Sequence, residues 1–222
     1  MLQWFTLNAP LKGSLFHMRL FVGLDIDDTL RRPIGEFIDR VREFAPGARW
    51  VNSESLHITL KFIGEKTEEA TDEIKNTLQA MTAAAFDMTL RGYGFFPTSR
   101  APRVFWIGIK AGSSLAALAG AIDARLAGLN IPREPHEYSP HLTLARSSGA
   151  QSSGARNSSG SGSPRRQRGD RSNQRFEVLQ AKLITAPPPE FGTMTARRFF
   201  LYRSHLSQEG SRYAKLAAYA LD

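Results

Sequence analysis

One short pattern occurs twice in this chain and limits its folds more than any other feature. The first copy is Leu56-His57-Ile58-Thr59-Leu60 and the second is Pro140-His141-Leu142-Thr143-Leu144. On a β-strand alternate side chains share a face. His57 and Thr59 therefore point one way while Ile58 and Leu60 point into a core, and His141 and Thr143 divide from Leu142 and Leu144 in the same manner. A single His-x-Thr is ordinarily just a half-buried strand. Its recurrence asks for two such strands facing one another across a cleft.

The remaining elements follow from periodicity. Met18–Leu24 reads as a strand, and Ile34, Phe37, Ile38, Val41 and Phe44 as one helical stripe, with Pro33 near its first turn and Pro46-Gly47 closing it. Trp50-Val51 and Leu56–Ile63 read as strands, the second ended by Gly64. Thr67 can cap a helix with the stripe Ala70, Ile74, Leu78 and Met81. Strands are expected at 86–90 and 104–109, a helix at 113–129 and a short strand at 141–145. Strands at 176–185 and 198–204 and a last helix over 211–221 complete the reading. Strands arriving in pairs between a few helices argue for an α+β fold with mostly antiparallel sheets rather than a doubly wound one.

Charge and composition bound the partners. Of the net charge of +8, six units fall in 146–175, which holds seven arginines and one acid, Asp170. The basicity belongs mostly to one segment, which is weak support for duplex DNA as a partner. Residues 147–163 contain eight serines and four glycines, too little apolar surface to offset ordering entropy. The expectation is one domain over 18–221, interrupted by a flexible Ser/Gly/Arg-rich insertion at 147–175, with 1–17 as an N-terminal extension and Met18 as an alternative start. The chain has no cysteine, so disulfides and thiolate metal sites are excluded. No apolar run approaches the roughly 20 residues that span a bilayer. A cytoplasmic monomer without membrane association is the expected form.

The paired strands suit phosphodiester chemistry. Imidazole titrates near neutral pH, so one ring can activate water while the other protonates the departing sugar oxygen. Threonine hydroxyls can donate to the non-bridging oxygens, so neither a cofactor nor a metal is needed. A competing motif is Asp25-Ile-Asp27-Asp28-Thr29 after an apolar strand, the pattern of haloacid-dehalogenase-type phosphatases, with Asp25 as nucleophile, Asp27 as acid/base and magnesium required. A convincing downstream acidic pair to complete it is missing from the sequence. A third reading is a non-catalytic RNA-binding module using the arginine-rich segment. His17, His136 and His205 lack partners at metal-ligand spacing, and Phe95, Phe96 and Tyr138 are aromatics that could stack a base.

The paired HITL and HLTL strands resemble those of the 2H phosphoesterase superfamily. The text Met18-Arg-Leu-Phe-Val-Gly-Leu, Pro46-Gly-Ala-Arg-Trp-Val, Leu56–Glu65, Tyr138–Arg146 and Tyr202-Arg-Ser…Gly210-Ser-Arg-Tyr is similar to its RNA 2′,3′-cyclic phosphodiesterase branch, also called 2′-5′ RNA ligase. That resemblance implies a two-lobed, pseudo-symmetric LigT-like fold with the active-site cleft between lobes. It implies opening of a 2′,3′-cyclic phosphate on RNA ends or small nucleotides to a 2′-phosphomonoester, with some reversible 2′-5′ joining. It also implies His57 as proton donor and His141 as proton acceptor, with Thr59, Thr143 and Arg146 on phosphate oxygens. Arg146 carries the parity of Leu142 and Leu144, so it reaches phosphate only if the strand ends or bends after Leu144.

Overall fold

The computed structural model describes residues 17–147, 174–207 and 210–222. The described residues form nine strands: β1 (Met18–Asp25), β2 (Ala48–Trp50), β3 (His57–Lys66), β4 (Phe86–Phe96), β5 (Val104–Lys110), β6 (His141–Ser147), β7 (Glu190–Ala196), β8 (Arg198–Ser207) and β9 (Gly210–Ala220). Four helices accompany them: α1 (Asp28–Val41), α2 (Glu68–Gln79), α3 (Ser114–Ala127) and α4 (Glu177–Ile184). The strands make two antiparallel sheets in the orders β3-β1-β8-β9 and β2-β6-β5-β4-β7, an α+β fold. The chain crosses between the sheets at Arg197, where β7 hands over to β8.

Helices cover the apolar face of each sheet. Leu20, Val22, Leu24, Ile58 and Leu60 of the first sheet are buried, with α3 packed on β3 and α2 on β9. Met88, Leu90, Phe105, Ile107, Leu142 and Leu144 of the second are buried, with α1 against β7 and Phe37 meeting Phe105 and Phe191. The opposite faces are turned toward each other, and β3 and β6 approach within 8 Å, Cα to Cα. Farther along the same space, a cavity of about 690 Å³ takes walls from both sheets, including Asp25 and Phe200 of one and Asp87, Thr193 and Thr195 of the other.

Several elements depart from the sequence expectations. Residues 177–184 are helix, not strand. Val178 and Ile184 are 56% and 78% exposed, whereas Phe176, Leu179 and Leu183 sit at helical spacing and are buried. The expected helix at 211–221 is strand β9. Its alanines favour a helix, but β8 offers a partner along its whole length from Arg198↔Ala220 to Ser207↔Gly210, and pairing outweighs propensity. Gly64 does not end β3; its φ of 86° is absorbed within the strand. Pro33 lies inside α1, which begins earlier, at Asp28. β2 covers Ala48–Trp50 rather than Trp50-Val51, and β7 had no counterpart in the sequence reading. Of the expected 147–175 insertion, 148–173 lies outside the described residues, as does all of the 1–17 extension except His17.

Candidate active site

Matching irregularities follow the two His-x-Thr motifs. In β6, Thr143 pairs with Trp106 and Ala145 with Phe105, so Leu144 is an extra residue in a β-bulge. Leu144 and Ala145 are both buried, and Arg146 returns to the face of His141 and Thr143. The parity conflict at Arg146 is thereby relieved by a bend at Leu144. In β3, Thr59 pairs with Gly23 and Lys61 with Val22, leaving Leu60 as the extra residue. Lys61 turns to the buried side, and Phe62 returns to the face of His57, where it is 42% exposed. Phe62 thus stands five residues after His57, as Arg146 stands five after His141.

Both imidazoles are held alike. The Nδ1–H of His57 donates to the Ser55 carbonyl at 2.8 Å, and that of His141 donates to the Ser139 carbonyl at 2.8 Å. A carbonyl only accepts, so each neutral ring keeps its lone pair on Nε2. Burial, with Arg146 and His141 adding positive charge, pushes His57 down to about 4 despite the Ser55 carbonyl and the Asp25 carboxylate. His141 is lowered as well, first by burial and then by Arg146, against the pull of the Ser139 carbonyl. Arg146 is half-buried and acts electrically on both rings, which places all three groups within one local field.

Aromatic side chains fix the rings. Phe21 and Tyr213 lie 4.7 Å from His57, centroid to centroid, and Phe21 stacks on Tyr202 at 4.9 Å. His141 meets the edge of Phe96 at 4.9 Å, with Trp106 behind at 6.4 Å. Trp106 lies flat over Gly94, where an added Cβ would come within 2.2 Å of the indole. Gly23 is needed similarly, because its Cβ would meet the Ile58 carbonyl at 2.8 Å. Phe21, Trp106 and Tyr213 are not among the expected site residues; Phe21 and Tyr213 do fall inside the family-like segments, and strand parity in Met18–Leu24 places Phe21 on the face of Gly23.

The two histidine strands are also tied through the segment that precedes β6. Tyr138 donates its hydroxyl to the Thr59 carbonyl at 2.9 Å. Lys61, 2% exposed, donates to the Pro132 carbonyl at 2.6 Å and pairs with Asp123 at 2.7 Å and Glu134 at 3.3 Å. Of the other aromatics considered, Phe96 faces His141, whereas Phe95 packs inward on Phe105 and Phe176. His136 and His205 are exposed and stand outside this cluster.

Asp25 does not behave as the nucleophile of the competing motif. It ends a strand of an antiparallel sheet, one oxygen accepts from Arg31 at 2.6 Å and the other from Lys215. Those cations and the Ile26 amide overcome burial and hold its carboxyl below the ordinary range. Its Oδ1 also accepts from the Ile26 amide at 2.9 Å, so the carboxylate is held as the counter-ion of two basic side chains. Among the described residues no group of three or more His, Asp or Glu side chains is arranged to hold a metal ion, and no helix is long and apolar enough to cross a membrane.

Two helix-backed antiparallel sheets, each presenting one histidine strand to a common cleft, define a bilobal two-histidine fold. Residues 30–157 match the family model described as the 2′-5′ RNA ligase superfamily, and the chain belongs to that superfamily, the 2H phosphoesterases. It is 36% identical over 129 residues to the RNA 2′,3′-cyclic phosphodiesterase of Archaeoglobus fulgidus, covering 58% of this chain and 72% of that one. A solved structure from Thermus thermophilus is similar at 28% identity with a TM-score of 0.68, covering 92% of this chain and 98% of the other. E. coli LigT complexed with 3′-AMP shares the fold at 24% identity and a TM-score of 0.66, covering 93% and 99%.

Proposed function

We propose that this chain hydrolyses RNA 2′,3′-cyclic phosphodiesters to 2′-phosphomonoesters, with His57 as proton donor and His141 as proton acceptor. The observation that carries the reading is the cluster of two carbonyl-anchored imidazoles with Arg146 bent onto their face. His141 Nε2 takes a proton from water as the water oxygen attacks phosphorus. The P–O3′ bond breaks, and His57 gives its proton to O3′. Atoms balance: one water is consumed, and the product is a 2′-phosphate beside a 3′-hydroxyl. Thr59, Thr143 and Arg146 donate to the non-bridging oxygens as charge grows on them. A 5′-hydroxyl in place of water would give the 2′-5′ joining reaction on the same groups.

Burial first, and Arg146 after it, keep both rings neutral in the free protein at pH 7, and a bound phosphate opposes the second of these. Its negative charge offsets Arg146, the cation that depresses both rings, and so raises their proton affinity when substrate is present. Phe62, exposed on the His57 side, offers a face for the base or ribose. The test is a 2′,3′-cyclic-phosphate oligonucleotide incubated with the protein, with and without EDTA, and products resolved by phosphorus NMR. A 2′-phosphate formed equally in both arms supports the proposal. No turnover, a 3′-phosphate product, or loss of activity in EDTA rejects it.

A further inference from the structure

Arg49 in β2 lies directly opposite Arg146 in β6. Directly opposed residues share a face, with Cβ atoms about 5 Å apart. Its neighbours confirm the direction. Ala48 and Trp50 pack toward the core, Trp50 meeting Phe105 at 6.0 Å and donating Nε1–H to the Ala45 carbonyl at 3.1 Å. Arg49 therefore projects to the other face, beside Arg146, and is exposed while Arg146 is half-buried.

Like charges opposed across two strands destabilise the sheet unless an anion lies between or beside them. Some arginines elsewhere in the fold have acidic partners, such as Arg31 with Asp25 and Arg91 with Glu190. Among the described residues neither Arg49 nor Arg146 forms an ion pair with a carboxylate. The β2 edge gains a further cation from Arg175, whose Nη1 donates to the Gly47 carbonyl at 2.7 Å. The edge of this sheet thus steps from one guanidinium at the histidine cluster to a second outside it. A polyanion with regularly repeated phosphates fits that arrangement better than a single small anion.

We propose that Arg49 holds the phosphodiester immediately upstream of the cyclic phosphate, so that the chain favours an RNA end over a free nucleoside cyclic phosphate. This rests on the cyclic phosphodiesterase reading, with Arg146 on the reacting phosphate. Arg49 contributes charge to the neighbouring one, which a mononucleotide does not possess.

The experiment compares adenosine 2′,3′-cyclic phosphate with a diadenosine dinucleotide ending in the same group. Arg49→Gln is expected to lower kcat/KM on the dinucleotide about tenfold more than on the mononucleotide, chiefly through KM, with Arg49→Lys recovering part of the difference. The slope of log affinity against log salt for the dinucleotide should become shallower by about 0.7. Arg146→Gln should instead impair both substrates. Equal loss on the two substrates in Arg49→Gln, or no loss on either, overturns the proposal. A second arm uses calorimetric binding of a 3′-phosphorylated dinucleotide against adenosine 3′-monophosphate. If the wild type turns over neither cyclic substrate, the hydrolytic reading fails, and this arm still decides Arg49. A dinucleotide affinity that Arg49→Gln leaves unaltered refutes the subsite.

Discussion

Lys61 permits a quantitative test of how the two histidine strands are joined. The bulge at Leu60 turns this side chain away from the cleft, where it is 2% exposed and meets Asp123 at 2.7 Å, the Pro132 carbonyl at 2.6 Å and Glu134 at 3.3 Å. Lys61→Met keeps most of the aliphatic volume and removes the charge. Breaking a buried pair from one side costs about 3–5 kcal/mol. Asp123 retains Arg133 at 3.3 Å and the Glu134 amide at 3.1 Å, so the low end applies, about 3 kcal/mol. For a chain of this size that lowers Tm by about 6–12 °C. The acid dependence has a fixed sign. Burial alone would raise the Asp123 carboxyl, but Lys61, the Glu134 amide and Arg133 together hold it below 3.8. Its contribution is complete above that value and is lost as pH falls through the lower folded value. Thermal and urea unfolding at pH 7 and pH 3 should show the gap between wild type and Lys61→Met narrowing in acid. Lys75→Met, which breaks an exposed pair with Asp72, should cost under about 0.5 kcal/mol. A Lys61→Met variant within about 0.5 kcal/mol of wild type at pH 7 would refute the reasoning.

Three further expectations follow from the cleft. His57 sits at about 4 against an ordinary 6.5, so the unfolded chain binds its proton first, and stability is full above 6.5 and declines as pH falls toward 4; His57→Gln should flatten part of that slope in urea midpoints, and an unchanged slope would count against it. Gly94→Ala drives a methyl into the Trp106 indole beside His141 and should cost about 1–3 kcal/mol, together with a shift of the indole NMR resonance; a variant as stable as wild type with an unmoved indole contradicts the packing. Tyr138→Phe deletes the hydroxyl bond to the Thr59 carbonyl and should cost about 1 kcal/mol in urea unfolding, whereas a neutral effect would mean that the bond does not tie the lobes.

The legible part of this protein was the part governed by period. Strand alternation at His57, Thr59, His141 and Thr143 needed only the rule of two, and the α1 and α3 stripes only the rule of 3.6. Bulges break that rule without a local signature: Leu60 and Leu144 look like ordinary core leucines. The face of Arg146 consequently remained open, and Phe62 and Arg49, though inside the family-like segments, carried no assigned role. β9 and α4 were misread because alanine and β-branched propensities were overridden by an available strand partner and by burial of Leu179 and Leu183. Asp25 matched a foreign motif, and only its contacts with Arg31 and Lys215 identify it as a structural counter-ion.

The central claim is that His57 and His141 act on one phosphate as a unit. Single-turnover rates on a 2′,3′-cyclic-phosphate dinucleotide test it most directly, using His57→Ala, His141→Ala and the double variant, each verified as folded by circular dichroism. Each single change is expected to slow hydrolysis by at least about 10²-fold. The double variant should be little worse than either one, because partners in one proton-transfer pathway are not additive. A single variant that retains near-wild-type rate, or a double variant whose losses simply multiply, would contradict the account.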